Sequence, residues 1–311
     1  MIKMDKSISE NKNLDNINIT QKTKRMDWRI ELIRIPAILA VVIVHMQLES
    51  GWINGSTMPQ NFILYIAMAM FMYASGFVQG LKNEFSNPGD INKKSYFKYI
   101  KKRFLKLYIG YYLAFGTVFL SRLFAYYIIN KPFPLIYTPW SLFLDLTGTW
   151  GLFTTCGCGG IWPPGWFICA IFMISLIYPF LRRLSSINKI YIYVVMAIAI
   201  VMRIILAITL YNPAYFFPFS WITEFSIGML FGKWSDSTGG PPVVSKRYQK
   251  VIIKLGARVW PMYLSHIVPI VWISYLAGFW EFFIIFIIIF PLTELFHRIL
   301  IIINKKIKKI I

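Results

Sequence analysis

The chain alternates between long apolar segments and short polar connections. A helix needs about 20 mostly apolar residues to cross the hydrocarbon core of a bilayer, and most of the apolar segments come close to that length. We therefore predict an all-α, polytopic membrane helical bundle of about eight transmembrane helices. The predicted spans are residues 30–48, 62–81, 104–129, 165–181, 190–210, 216–232 and the two halves of the apolar run 255–296, divided near 276–280.

Segments outside the spans complete the predicted organisation. Residues 1–25 are polar and have no apolar period, so we predict a disordered cytoplasmic tail. Residues 26–303 form one transmembrane domain, and residues 304–311 form a basic cytoplasmic tail. Between the third and fourth spans, the proline-rich segment 130–165 contains a half-apolar stretch, 140–153, which we expect to be re-entrant or interfacial.

Basic residues are concentrated on alternate connections. Lys and Arg occur before the first span, after the second, fourth and sixth spans, and after the last span. The connections after the first, fifth and seventh spans have none, and the long segment after the third has only Lys131. Because cytoplasmic loops are enriched in Lys and Arg, this alternation predicts an even number of crossings with both termini in the cytoplasm.

Composition supports a membrane protein and argues against a nucleic-acid binder. Hydrophobic residues make up 57% of the chain and charged residues 15%, against about 45–50% and ~25% in soluble domains. The formal charge of the chain is +20, and its Lys and Arg residues lie mostly between apolar segments, where residues that set membrane topology occur. The expected partner is therefore the lipid bilayer of the cell membrane and not nucleic acid. Cys156 and Cys158 have poor spacing for zinc and no nearby His, so no metal site is expected.

Ionisable residues interrupt the first predicted span. Charged groups inside a spanning helix cost roughly 2.5–3.5 kcal/mol each on insertion scales, which indicates a functional reason for them. Arg34 and His45 are eleven residues apart. They therefore lie on one helix face, about 16 Å apart along the axis. Glu31 and Arg34 are i, i+3 neighbours and can form a pair.

Two histidines are candidates for acid–base chemistry. A neutral imidazole in a partly dry cavity is a suitable general base near neutral pH, which favours His45 in this role. The alternative is a hydrogen-bonded packing residue or an interfacial polar group. His266 lies at a similar depth in the predicted seventh span, so the two could flank one cavity. The alternative for His266 is a polar residue at a helix end.

Further charged residues lie in or beside the later spans. Arg103 and Lys106 open the third span. They could clamp an anionic donor or only anchor the cytoplasmic end of the helix. Arg122, Arg203 and Glu224 lie deeper in their spans and could pair with one another.

Five short motifs follow one another along the chain: Glu31-Leu-Ile-Arg34 with His45, Phe71-Met-Tyr-Ala-Ser75-Gly76-Phe77, Arg103-Phe-Leu-Lys106, Gly165-Trp166-Phe167, and Tyr263-Leu-Ser-His266. Over residues 27–300 their order resembles that of the acyltransferase-3 family of integral membrane acyltransferases. Lys106 stands where a second Arg is usual, and Tyr108 where Pro is common. The family commonly has ten spans, and residues 232–255 offer only a polar turn in place of one helix pair.

This resemblance implies a membrane-bound O-acyltransferase, a transferase of groups other than amino-acyl groups. Such enzymes move an acyl group, usually acetyl, from cytoplasmic acyl-CoA to a hydroxyl of a sugar, polysaccharide or other envelope molecule. Acyl-CoA is then a donor substrate and not a bound cofactor. The implied catalytic residues are His45, as base or transient acyl carrier, and Arg34, which orients the donor or stabilises developing charge. The implied substrate-binding residues are Glu31, Ser75, Arg103, Lys106, Trp166 and His266.

Two other functions remain open at this point. A transporter or flippase for a glycan-lipid could use the helix face that carries Arg34 and His45 as a pathway. A degenerate, non-catalytic member is the other alternative, because the chain lacks one helix pair. Release of free CoA distinguishes an enzyme from both.

Overall fold

The computed structural model describes residues 27–49, 58–82, 84–130, 139–153, 164–210, 213–238, 245–273 and 279–307. Within these ranges all regular elements are helical, which confirms the predicted all-α class. The helices are α1 Trp28–Glu49, α2 Met58–Gly80, α3 Lys93–Ile129, α4 Pro139–Thr147, α5 Trp150–Phe153, α6 Gly165–Ile187, α7 Lys189–Leu210, α8 Pro213–Phe216, α9 Ile222–Ser237, α10 Lys246–Gly256, α11 Val259–Ser265, α12 Ile267–Ile273 and α13 Phe279–Ile307. Short 3-10 turns occur at Pro88–Asp90 and Pro218–Trp221.

Six helices in the described part of the chain are long and apolar enough to cross a membrane. These candidates are Trp28–Gln47, Phe62–Gly80, Lys93–Ile128, Gly165–Ile187, Lys189–Thr209 and Phe283–Ile307. They correspond to predicted spans one to five and eight, which confirms the membrane class. Eight crossings and two cytoplasmic termini remain predictions. The predicted tail 1–25, Cys156 and Cys158 lie outside the described residues.

The predicted seventh span is wrong as a single helix. Helix α11 ends at Ser265 and α12 begins at Ile267, with His266 between them. Pro269 explains the break, because its ring would clash with the carbonyl of Ser265 in a continuous helix and it has no N–H to donate. In the same way, Pro261 separates α11 from α10.

One predicted segment also needs correction. The expected polar turn before residue 255 contains helix α10, whose apolar residues recur at helical spacing between four basic residues. Helix α13 continues to Ile307 and so includes the first residues of the predicted basic tail. Lys305 and Lys306 lie in its last turn, where cations interact favourably with the helix dipole.

Helices α2 and α9 pack with their backbones in contact. Each has two glycines four residues apart, the small-residue pattern that lets membrane helices approach closely. A Cβ added at any of these glycines would overlap the backbone of the other helix. The overlapping pairs are Gly76 with Phe225, Gly80 with Met229, Gly228 with Tyr73, and Gly232 with Phe77.

Helix α1 lies inside the bundle, whereas α7 lies at its outside. Helix α1 packs against α2, α10, α11 and α12, and α6 packs against α3 and α7. Helix α7 presents mostly exposed apolar side chains, such as Ile198 and Ile208, as expected of a helix that faces lipid. The inner position of α1 places its polar residues inside the bundle.

The close contact of α2 and α9 predicts that substitutions of two glycines differ sharply in their effect on stability. Gly228→Leu should destabilise the protein by about 1–3 kcal/mol or more, because the new side chain would push the helices apart. Gly116→Leu on α3 should be tolerated, because nothing lies within 4 Å of an added Cβ there. Thermal unfolding in detergent, followed by size-exclusion chromatography, measures both. An equal loss of stability in the two variants would contradict the close packing of α2 against α9.

Candidate active site

The side chains of His45 and His266 meet at the break between α11 and α12. Nδ1 of His45 lies 2.8 Å from Nε2 of His266. The ring planes differ by 5° and the ring centroids are 5.0 Å apart, so the two rings meet edge to edge and not face to face. The expectation that these two histidines come together is met by this contact.

Hydrogen bonding determines which nitrogen carries each proton. Nδ1 of His266 lies 2.8 Å from the backbone oxygen of Tyr263, which can only accept. With both rings neutral, Nδ1 of His266 therefore carries the hydrogen, and Nε2 accepts from Nδ1 of His45. Nε2 of His45 is then the basic nitrogen of the pair.

The two imidazoles differ in exposure. His266 is completely buried, whereas His45 is half-buried. The observed partners of His266 are His45 and the Tyr263 carbonyl, whereas His45 keeps part of its surface exposed. The predicted substrate-binding role of His266 remains untested.

Tyr263 holds the end of α11 in place. Its hydroxyl donates to the backbone oxygen of Pro164 at 2.5 Å, just before α6 begins. Its own backbone oxygen accepts from Nδ1 of His266. The contact of Tyr263 with the start of α6 thus fixes the acceptor that orients His266.

Glu31 and Arg34 form the predicted pair at the other end of α1. One guanidinium nitrogen lies 3.0 and 3.2 Å from the two carboxylate oxygens. Glu31 is buried, and a Cβ on Gly256 at the end of α10 would overlap its carboxylate. Contacts with Arg34 and with α10 therefore explain how a carboxylate is accommodated at this buried position. The predicted contact of Glu31 with substrate remains untested.

A basic cavity of about 670 Å³ lies beside the first turns of α3. We use this name for the cavity lined by five basic residues, Lys82, Lys98, Lys102, Arg103 and Lys106, and by two acidic ones, Glu84 and Asp90. Helix α3 begins well before the predicted span because Asn92 caps it, accepting from the Ser95 N–H at 2.9 Å. These additional turns form one wall of the basic cavity.

Arg103 is held in the basic cavity by Gln79. With the amide oxygen of Gln79 facing the guanidinium, Arg103 donates to it, and the shortest N···O distance is 2.5 Å. Gln79 is almost fully buried and lies four residues after Ser75 on α2. Sequence reasoning missed Gln79, although a glutamine inside an apolar span was a visible signal.

The connection between α2 and α3 covers the basic cavity. Phe85 adopts a left-handed backbone conformation (φ 65°) and packs against Tyr99 and Tyr178, with ring centroids 5.3 and 6.2 Å away. Arg182 and Arg183 of α6 each donate to Ser86 at 3.1 Å. Arginines of α6 therefore tie this connection to the bundle.

The positive charge of Arg34 on α1 acts on Lys106 of the basic cavity, as do the charges of Arg103 and Lys102. Because all four groups are cations, they repel one another and favour an anion near Lys106. From Arg34, the shared face of α1 leads to His45.

Trp166 belongs to a separate aromatic cluster. Its ring lies 4.8 Å from that of Tyr215 and 6.4 Å from that of Trp221. Arg203 lies over the Trp221 ring at 5.1 Å and forms a bidentate pair with Glu224 at 2.6 and 2.7 Å. Arg203 and Glu224 thus pair as anticipated, while the predicted substrate contact of Trp166 remains untested.

Fold and site together define a helical membrane protein with a basic cavity beside α3 and a hydrogen-bonded imidazole pair between α1 and the break that separates α11 from α12. A family model described as an acyltransferase domain, of the acyltransferase-3 type, matches residues 27–239, more than half of the chain. The chain belongs to this family, as its motifs predicted. No curated protein and no solved structure matches the chain.

The match ends before α10, so His266 lies beyond it, and only the folded arrangement brings this residue to His45. No group of three or more potential metal ligands occurs among the residues that the structure describes.

Proposed function

We propose that the protein is an O-acyltransferase of the cell membrane. It moves an acyl group, usually acetyl, from cytoplasmic acyl-CoA to a hydroxyl of a sugar, polysaccharide or other envelope molecule. Family membership supports acyltransferase activity in general. The more specific proposal is supported by the hydrogen-bonded pair of His45 and His266, together with the basic cavity beside α3.

The basic cavity suits the phosphate-bearing part of CoA. Arg and Lys are the usual protein partners of phosphate groups. The cavity's volume of about 670 Å³ falls within the roughly 300–1,000 Å³ typical of small-molecule sites. Five basic residues against two acidic ones give the lining a positive balance. In this proposal acyl-CoA is a donor substrate and not a resident cofactor.

The two ends of α1 contact different parts of the donor in this proposal, because they are too far apart to contact the same part. Arg34 precedes His45 by about 16 Å along the helix axis. Donor phosphates held near Arg34 and Arg103 therefore cannot touch the imidazole, whereas the extended acyl arm of CoA can lead toward it. This separation favours orientation of the donor as the role of Arg34.

The reaction then needs one proton acceptor at the far end. Nε2 of His45 removes the proton from the acceptor hydroxyl while that oxygen attacks the thioester carbonyl. The carbon–sulfur bond breaks, and the proton passes from His45 to the departing CoA thiolate. His266 acts as a positioning residue, because it keeps the hydrogen of His45 on Nδ1. The same free Nε2 could instead carry the acyl group transiently.

Removal of His45 tests the proposed base. His45→Ala should lower acyl transfer by about a hundredfold or more, because general base catalysis contributes on that scale. The measurement is release of CoA from acetyl-CoA together with transfer of the labelled acetyl group into envelope glycan. His297→Ala, which changes the same residue type on α13, should leave both signals unchanged.

An active His45→Ala protein with normal folding would exclude the proposed mechanism. A wild-type protein that releases no CoA would favour the transporter or the non-catalytic alternative.

Removal of Arg103 tests the donor site. Arg103→Ala should raise the KM for acyl-CoA by about tenfold or more with a smaller change in kcat, because it removes a charge-assisted contact. Arg103→Lys should restore little, because an ammonium group lacks the planar fork that contacts Gln79.

The matched control neutralises Lys305 and Lys306 at the end of α13, which do not line the basic cavity. Acyl-CoA titrations on the purified variants measure the effect. An equal loss in this control would mean that only the general positive charge of the protein matters.

A further inference from the structure

Helix α10 has three distinct faces along its 11 residues. The inner face consists of the less exposed side chains, which point to the rest of the protein, namely Gln249, Ile252, Ile253 and Gly256. An apolar face, made of Tyr248, Val251 and Leu255, is 50–66% exposed. A basic face of exposed side chains consists of Lys246, Arg247, Lys250 and Lys254.

These faces follow one another around the helix axis. With about 100° between successive residues, the basic face covers an arc of about 100° and the apolar face an adjoining arc of about 60°. Exposed apolar and exposed basic side chains thus lie side by side and do not mix. This is the pattern of a helix at a boundary between an apolar and a polar medium.

The C-terminal end of α10 is fixed to the helical bundle. Gly256 contacts Glu31 near the start of α1. Arg258, just after α10, donates to the backbone oxygen of Lys254 at 2.7 Å and pairs with Glu294 of α13 at 2.8 Å. Helix α10 therefore has a defined position at the side of the bundle, and its exposed faces point away from the bundle.

The length of α10 excludes a membrane crossing. Eleven residues extend about 16 Å, whereas the hydrocarbon core is about 30 Å thick. A buried helix of a soluble core would not leave two of its faces exposed. A helix in the plane of the membrane surface accounts for both features, because its apolar face enters the lipid while its basic face stays at the headgroups.

We propose that α10 is an interfacial helix whose basic face binds anionic lipid headgroups of the membrane that holds the protein. The segment 246–256 contains four basic residues and no Asp or Glu, so its charge is complementary to such a surface. The adjoining apolar face distinguishes a lipid surface from a nucleic acid or an acidic protein as the partner. This proposal does not depend on the acyltransferase chemistry.

Placement of α10 in the membrane is tested with two neighbouring positions. Single cysteines at Tyr248 and Lys250, in protein without its own cysteines, lie about 160° apart around the helix. Each is labelled with the environment-sensitive dye NBD in nanodiscs of phosphatidylcholine and phosphatidylglycerol. Lipids with a spin label on the acyl chain should quench the dye at Tyr248 strongly and the dye at Lys250 weakly. Equal quenching at the two positions would overturn the interfacial placement.

Lipid binding is tested by neutralising the basic face. The variant carries Lys246→Gln, Arg247→Gln, Lys250→Gln and Lys254→Gln. A control removes the same charge from exposed sites elsewhere, with Lys93→Gln, Lys94→Gln, Lys305→Gln and Lys306→Gln. Native mass spectrometry after extraction from the same nanodiscs counts the retained phosphatidylglycerol. The α10 variant should retain at least about threefold less than the control.

Two results would overturn the lipid proposal. One is unchanged retention of phosphatidylglycerol in the α10 variant. The other is an equal loss in both variants, which would show only the effect of total charge. Circular dichroism and the elution volume of each variant establish that the fold is retained, so that a loss of lipid can be assigned to the basic face.

Discussion

A chain of two hydrogen bonds, from His45 to His266 and from His266 to the Tyr263 carbonyl, fixes the geometry of the candidate site. Pro269 prevents α11 and α12 from forming one helix, and His266 lies in the break. The Tyr263 carbonyl accepts from Nδ1 of His266, whose Nε2 in turn accepts from His45. A local backbone constraint therefore sets the protonation of an imidazole on another helix. Because Tyr263 is also bound to the start of α6, the arrangement is held from two sides.

The charges inside the bundle are compatible with a membrane because most are paired or line a polar cavity. Glu31 is matched by Arg34, and Arg203 by Glu224. Breaking a buried pair by removing one partner leaves an uncompensated charge and is strongly destabilising. Arg103 differs, because its partner Gln79 is neutral and it faces the basic cavity. Its positive charge therefore remains available to an anion, which is what a site for a phosphate-bearing donor requires.

Sequence reasoning succeeded where one helix was enough. The pair of Glu31 and Arg34 follows from i, i+3 spacing, and the long apolar segments predict the spanning helices. It fell short where two elements had to be combined. The contact of Arg103 with Gln79 joins two helices whose relative rotation no sequence spacing defines. Helix α10 was missed because its apolar and basic residues interleave along the chain and separate only around the helix axis.

The hydrogen bond between His45 and His266 is the central claim, and steady-state kinetics of His266 variants tests it most directly. His266→Leu cannot accept from Nδ1 of His45, so kcat should fall roughly a hundredfold while the KM for acyl-CoA stays unchanged. His266→Gln offers an oxygen that can accept and should recover part of the loss. If His266→Leu keeps the wild-type kcat, or raises only the KM, His266 does not position His45 and the account is contradicted.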